Sequence, residues 1–424
     1  MGLFNTGLRT TVYSAAGYTL LPPANGGPNF LRDWSTYQTL DHLVGPPVEF
    51  SRGSTATYVG SNGLIQSSAT NAPRFDYDPV TLACKGLLIE ESRTNLLTYS
   101  EQFDNAAWTK GGVTVSANTS TAPNGSMVAD TISTVASGNS LYQDYSTTGT
   151  STLTASIYIH NSSTATSIQF MLWWGNGAGY VAGNINPISS TLSVGQGGVT
   201  GASYTITPAG NGWYRYSISA TGTPNNGSVR VQAYLNTAGS NAIVWGAQLE
   251  AGAFATSYIP TTSASVTRAA DVAQITGSNF SGMYNQNAGT LFAVAERGVV
   301  PSGQFPDLIR VTDGTTSNQI ELGYLTEGLT SFSVSTAGVS QAVFYPPSAL
   351  RKRKLAGSYA TNYSSMANNG VLVGPDTSVT TPSGLNKMVI GDNGLAGNYL
   401  NGTISQIAYY PSRLTDTQLQ TLTS

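Results

Sequence analysis

The chain has 424 residues, only 9% of them charged, and a formal net charge of −3. A typical soluble domain carries roughly 25% charged residues, so the polar surface here must come from Ser, Thr, Asn, Gln and Gly. The near-neutral balance supplies no basic field for duplex nucleic acid. One cysteine (Cys84) and two histidines (His42, His160) exclude an intrachain disulfide framework and a structural zinc site.

Hydrophobic residues make up 40% of the chain, enough for packed cores, and the length suits two or three domains. The opening MGLFNTGLRTTVYSAAGYTLLPP lacks the basic and apolar regions of a signal peptide. No stretch approaches the ~20 apolar residues of a membrane span, so no membrane insertion is expected. Synthesis in a cytosol followed by release is the expectation from composition. Residues 1–45 are rich in Gly, Pro and Asn with little periodicity and read as an extended arm or docking segment. Residues 46–99 hold short apolar runs such as VEFSRGSTATYV and KGLLIEESRTNLL.

From residue 140 the pattern is that of an all-β protein: short alternating runs of Val, Ile, Thr, Tyr and Phe, punctuated by Gly, Asn, Ser and Pro. SLYQDYS (140–146), TLTASIYIH (152–160), SIQFMLWW (167–174), ASYTITPAG (202–210), WYRYSISAT (213–221) and SVRVQAYLN (228–236) each predict a strand. Alternation places Leu153, Ala155, Ile157 and Ile159 on one face and Thr154, Ser156, Tyr158 and His160 on the other. Residues 256–272 read as a link to a second sandwich. Its strands are predicted at 290–297, 318–325, 330–336, 354–360, 370–374, 386–392 and 402–411, with a hairpin turn at Asn368–Gly370. The tail RLTDTQLQTLTS predicts a short helix with Thr415 as N-cap, Gln418 closing a capping box and Asp416 in the first turn. The domain division expected is 1–98, 99–262 and 263–424.

Several blocks resemble bacteriophage structural proteins. The Phe50-x-Arg52-x-Ser54 opening, NAPRFDYDP (71–79) and GLLIEESRTNLL (86–97) are similar to a segment common in such chains. YSEQFDNAAW (99–108), GNGWYRYSIS (210–219) and VWGAQLEAGAFATSYIPT (244–261) resemble the start, an internal strand and the end of a carbohydrate-binding-module-like jelly roll. The last third, through NGTISQIAYYPSRLTDTQLQTL, is similar to laminin-G-like, concanavalin-type domains. The resemblance implies two antiparallel β-sandwiches behind an irregular docking region and a non-enzymatic virion component of tail-fibre, baseplate or capsid-decorating type. It further implies docking to other virion proteins through the N-terminal region, self-association as a homotrimer and exposure on the particle. Host-surface glycan attachment and a purely structural connector role both stay open.

Candidate sites follow from residue chemistry. Flat sugar faces stack on aromatic rings while amides supply directional hydrogen bonds, so Trp173, Trp174 and Tyr180 are the candidate glycan contacts. Strand geometry sends Trp173 and Trp174 to opposite faces, so at most one of them belongs to the core by default. The alternative for these rings is packing or subunit contact. Trp108, Trp213 and Trp245 are expected in cores. The run Arg351, Lys352, Arg353 and Lys354 suits a polyanion or a neighbouring subunit, or else a solvated strand end that discourages edge pairing. No cofactor is implied. A structural calcium ion would find loop oxygens in FDN (103–105) and GDNG (391–394), tokens that also serve as plain turns. A glycosidase needs two facing carboxyl groups; Asp76–Asp78, Glu90–Glu91 and Glu101–Asp104 are the nearby pairs, and spacing alone does not put any of them across a groove. No catalytic residues are assigned.

Overall fold

The computed structural model describes residues 14–15, 18–19, 27–41, 43–175, 177–298, 304–326, 328–347, 351–394 and 398–424. Most of the expected N-terminal arm, and His42, lie outside the described residues. The chain is all-β, with two antiparallel sandwiches and two short helices among the described residues. Two compact units interleave along the chain. A middle unit holds Arg52–Ala83 and Ser92–Ala270; a terminal unit holds residues up to Ser51, Cys84–Glu91 and Asp271–Ser424.

The middle unit is built on twelve strands: β1 (Thr109–Gly111), β2 (Val113–Thr121), β3 (Met127–Thr134), β4 (Asn139–Ser146), β5 (Ser151–His160), β6 (Ile168–Trp173), β7 (Tyr180–Asn186), β8 (Thr191–Gly197), β9 (Thr200–Pro208), β10 (Trp213–Gly222), β11 (Ser228–Leu235) and β12 (Asn241–Ala251). They form two six-stranded sheets, ordered β1-β4-β11-β6-β7-β8 and β2-β3-β12-β5-β10-β9. Period-2 alternation drives one face of each sheet inward. Leu153, Ala155, Ile157 and Ile159 of β5 meet Leu141, Phe170, Leu172, Val229 and Val231 of the facing sheet in one core. Each fully buried Leu, Ile, Val or Phe side chain contributes about 1.5–3 kcal/mol of transfer free energy.

The outer face of the second sheet departs from simple alternation. Thr154, Ser156 and Tyr158 of β5 are as buried as their inward neighbours. Tyr158, Trp213, Trp245 and Tyr258 form a second cluster there, with Ala122 and Ala129. Segments outside the sandwich strands close over it through polar contacts. Arg215 donates to Ser156 Oγ at 2.8 Å and to the Thr256 carbonyl at 2.6 Å. Gln248 Oε1 accepts from the Ile259 amide at 2.7 Å, and Glu250 Oε2 from the Thr256 amide at 3.0 Å. Arg74 of NAPRFDYDP donates to the Thr57 carbonyl and to Ser257 Oγ. Thr256, Tyr258, Ile259 and Thr261, expected from composition to open a link, are therefore buried covering residues. Their polar composition conceals this, because the packing uses hydrogen bonds as well as apolar area.

The terminal unit pairs seven strands in the order Val339–Phe344, Leu329–Thr336, Gln319–Thr326, Asp307–Thr312, Lys387–Ile390, Val272–Thr276 and Glu49–Ser51. Its second sheet runs Val371–Asp376, Tyr363–Asn368, Lys352–Ala360, Ala288–Glu296 and Gly402–Tyr410, with Cys84–Ile89 and Phe30–Asp33 on the last of these. All four residues of Phe30–Asp33 are buried. This part of the expected arm is thus a sheet strand, selected by non-local pairing that local composition does not reveal. Asn369 and Gly370, both at positive φ, make the tight turn expected at that hairpin. The C-terminal helix, Asp416–Thr423, has the expected Thr415–Gln418 capping box. It lays Leu419 and Leu422 on Phe292, Val294 and Tyr410. No helix among the described residues is long and apolar enough to cross a membrane.

Candidate functional site

The outward face of the first sheet of the middle unit brings aromatic, amide and guanidinium groups into register. Asp144 of β4 faces Arg230 of β11, which faces Trp173 of β6, which faces Tyr180 of β7. Two residues along each strand, the next row is Tyr142, Gln232, Met171 and Ala182. A third row is Ser140, Tyr234, Gln169 and Asn184. The alternating partners Leu141, Val231, Leu172 and Val181 point into the core and hold this surface flat.

Arg230 organises the first two rows. Its Nε and Nη2 donate to the two carboxylate oxygens of Asp144 at 2.7 and 2.9 Å. Its guanidinium lies 3.7 Å from the Tyr142 ring centroid and 5.3 Å from that of Trp173. The Asp144 hydrogen bonds hold its pKa above the ordinary arginine value. A planar guanidinium fixed by a carboxylate and flanked by two rings keeps both rings in place. Beside it, Gln232 is only 4% exposed, and its side-chain amide makes no hydrogen bond within the described residues. Gln169 Nε2 reaches Asn184 Oδ1 at 3.4 Å. Tyr180 is 41% exposed and its ring crosses Gly197, where a Cβ would come within 3.1 Å of it.

The three aromatic residues singled out from sequence divide. Trp173 is half-buried and Tyr180 exposed on this face. Trp174 is fully buried in the sandwich core, with its indole packed on Gly222, where a Cβ would approach to 2.8 Å. Trp174 is therefore no surface platform; a one-residue step along a strand reverses the side chain. Tyr142, Arg230, Gln232 and Tyr234 are absent from the sequence candidates. Their signal is the period-2 pattern of SLYQDYS and SVRVQAYLN, which gives the strands but not their neighbours. Trp108, Trp213 and Trp245 are buried.

The basic run in the terminal unit is not one patch. Arg351 and Lys352 are exposed, Arg353 is 7% exposed and Lys354 half-buried. The guanidinium of Arg353 is held below its ordinary pKa by burial first, with Tyr324 opposing and Arg297 adding to the effect. Lys354 Nζ donates to the carbonyl of Ser424. Only Arg351, which precedes the strand, and Lys352, its first residue, stay exposed; the run is buried or half-buried from Arg353 inward.

The carboxylates and loop oxygens weighed from sequence have local work. Asp78 Oδ1 accepts from the amides of Val80 and Thr81 at 2.9 and 2.7 Å, and Asp76 Oδ1 from that of Val59 at 2.8 Å. Glu101 Oε1 accepts from the Tyr258 hydroxyl at 3.1 Å, and burial raises its pKa. In FDN, Lys110 Nζ donates to the carbonyls of Asp104, at 2.7 Å, and Asn105, so the protein's own ammonium takes those oxygens. In GDNG, Asp392 Oδ1 accepts from the Gly394 amide and the Asn393 carbonyl from Arg310 Nη1. Among the described residues, no group of three or more His, Cys, Asp or Glu side chains is placed to hold a metal ion.

No protein-family model matches the chain, and no curated protein matches it. Solved structures align with part of the chain. The CBM40 of the Ruminococcus gnavus IT-sialidase, bound to alpha2,6 sialyllactose, aligns with a TM-score of 0.30 at 15% identity over 34% of this chain and 88% of that one. The leech intramolecular trans-sialidase aligns with a TM-score of 0.29 at 14% identity, over 34% of this chain and 24% of that one. Domain 4 of AbnA, a GH43 extracellular arabinanase from Geobacillus stearothermophilus, aligns with a TM-score of 0.30 at 13% identity, over 40% of this chain and 82% of that one.

Proposed function

We propose that this chain is a non-enzymatic, glycan-binding surface component of a phage virion, and that the aromatic face of its middle unit makes the glycan contact. One observation carries the binding reading: Tyr142, Trp173, Tyr180 and Tyr234 present ring surface around a recessed amide, Gln232, that has no hydrogen-bond partner among the described residues. Rings that meet the CH faces of a sugar, next to amides that meet its hydroxyls, are what an oligosaccharide requires. The rows cross four strands spaced about 4.8 Å apart, so the surface suits a short run of sugar units rather than one enclosed ring. Asp144 already neutralises Arg230, which favours neutral over acidic sugars.

The virion assignment draws on the residue blocks between 50 and 97 and their order ahead of two sandwiches. Docking through the N-terminal region and trimeric assembly belong to the same reading. Display of many copies makes a weak single-site contact sufficient for attachment.

The test is an array of bacterial surface polysaccharides probed with the intact protein, followed by calorimetric titration of the strongest ligand. Trp173→Ala and Gln232→Leu should each weaken binding about tenfold without unfolding the protein. An array with no retained glycan, or affinity unmoved by both substitutions, overturns the glycan reading and leaves the structural connector. Release of reducing ends from any polysaccharide on the array overturns the non-enzymatic one.

A further inference from the structure

The middle unit also has a cavity, on the outer face of its other sheet. It measures about 340 Å³ and is lined by Ser120, Thr121, Ala122, His160, Ser162, Asn211, Trp213 and Ile243. From it we infer a separate pocket for one neutral pyranose unit bearing adjacent hydroxyls. This inference does not depend on the aromatic face.

The size and lining set the class of ligand. Ligand pockets run from about 300 to 1,000 Å³, so this one holds a single ring rather than a chain. Its lining has no carboxylate, ammonium or guanidinium, so no charged ligand finds a counter-ion there. Ala122, Ile243 and the indole of Trp213 supply apolar wall, and hydroxyls and an amide supply the rim. Trp213 is only 2% exposed, and its Nε1 donates to the Thr121 carbonyl at 3.0 Å. It therefore offers no open ring face on which a flat heteroaromatic base would stack, whereas an aliphatic ring with a polar edge needs none.

The rim is pre-oriented by His160. The Ser162 amide donates to His160 Nδ1 at 3.1 Å, so that nitrogen is unprotonated and the proton sits on Nε2, which donates to the Asn211 carbonyl at 2.9 Å. The Ser162 hydroxyl, 2.7 Å from Nδ1, then donates to it as well. Its oxygen lone pairs remain to accept from a ligand. The Nε2 bond also pins Asn211, whose φ of 48° is a backbone state that asparagine tolerates better than most residues. The Asn211 side-chain amide makes no hydrogen bond within the described residues, nor does the Ser120 hydroxyl. An amide offering donor and acceptor side by side matches two neighbouring sugar hydroxyls, and the serines take a third and fourth. With both sites occupied, one copy of the chain engages glycan on both faces of a single sandwich.

The experiment is saturation-transfer NMR of the full chain with the methyl pyranosides of glucose, galactose, mannose and N-acetylglucosamine. It is run on the parent protein, on Trp173→Ala to disable the aromatic face, and on Trp173→Ala carrying Asn211→Gly or Ser162→Ala. Glycine suits the Asn211 backbone and removes only the amide. Transfer to at least one pyranoside should persist in Trp173→Ala and fall about fivefold with either added substitution. Near-UV circular dichroism of each double variant should match that of Trp173→Ala alone. No transfer in Trp173→Ala, or transfer undiminished by both rim substitutions, overturns the pocket. Loss of oligosaccharide binding on the array, with pyranoside transfer retained, would sink the aromatic-face reading and leave the pocket standing.

Discussion

Asp392 of the terminal unit is a carboxyl group whose removal should stabilise the protein, and only above a defined pH. It is 4% exposed, and burial raises its pKa from 3.8 to about 6, against the opposing pull of the Gly394 amide, Lys387 and Arg310. Because the folded-state pKa lies above the unfolded one, the folded protein binds the proton more tightly. The associated stability is complete below about pH 4 and is lost as pH rises through about 6. At 1.36 kcal/mol per pKa unit, the loss is about 3 kcal/mol. The same charge also pushes up the pKa of Asp307, which burial, Glu321 and Asp392 together raise well above its ordinary value while Arg310 pulls the other way. Asp392→Asn keeps an acceptor for the Gly394 amide and removes the charge. It should raise the urea midpoint of the terminal unit by about 1 M at pH 7.5 and leave it unchanged at pH 4. Five of the six tryptophans lie in the middle unit, so the readout is hydrogen exchange of peptides covering Lys387–Ile390 rather than fluorescence. A variant no more stable than the parent at pH 7.5 would refute the reasoning. It would mean that Arg310 and Lys387 hold Asp392 ionised at no net cost.

Two further substitutions separate core from surface. Trp174→Ala should cost about 3–5 kcal/mol in thermal unfolding. Trp174→Phe should cost much less than its lost area implies, because the buried indole Nε1 has no hydrogen-bond partner among the described residues and its removal relieves a desolvation penalty. Arg230→Lys should shift stability by less than about 1 kcal/mol, since the Asp144 pair is partly solvated. It should still weaken glycan retention severalfold in calorimetry, because an ammonium cannot keep the bidentate, ring-flanked geometry that sets Tyr142 and Trp173.

How far the sequence could be read depended on whether the controlling interaction was local. The inward face of β5 was legible because Leu153, Ala155, Ile157 and Ile159 alternate strictly, and the Thr415–Gln418 box was legible because both partners lie within one turn. YVAGNIN and TLSVGQG, by contrast, carry loop-like Gly and Asn, yet they form β7 and β8 because Ile168–Trp173 offers a ladder to extend. The outer face of β5 shows the limit most clearly. Thr154, Ser156 and Tyr158 are a solvent face by pattern and a buried layer in fact, because a hydrogen bond donated by Arg215 and others accepted by Gln248 and Glu250 draw covering segments across them. The candidate site fails to appear for a related reason. Each of its strands displays outward residues of ordinary character, and only the register of β4, β11, β6 and β7 turns them into a surface. The outward faces of the two sheets also differ. The first sheet leaves Tyr180 exposed and Tyr142, Trp173 and Tyr234 half-buried on its outward face. On the second, the end of β2 and the turn at Asn211 flank β5 and line an open cavity beside His160 and Trp213.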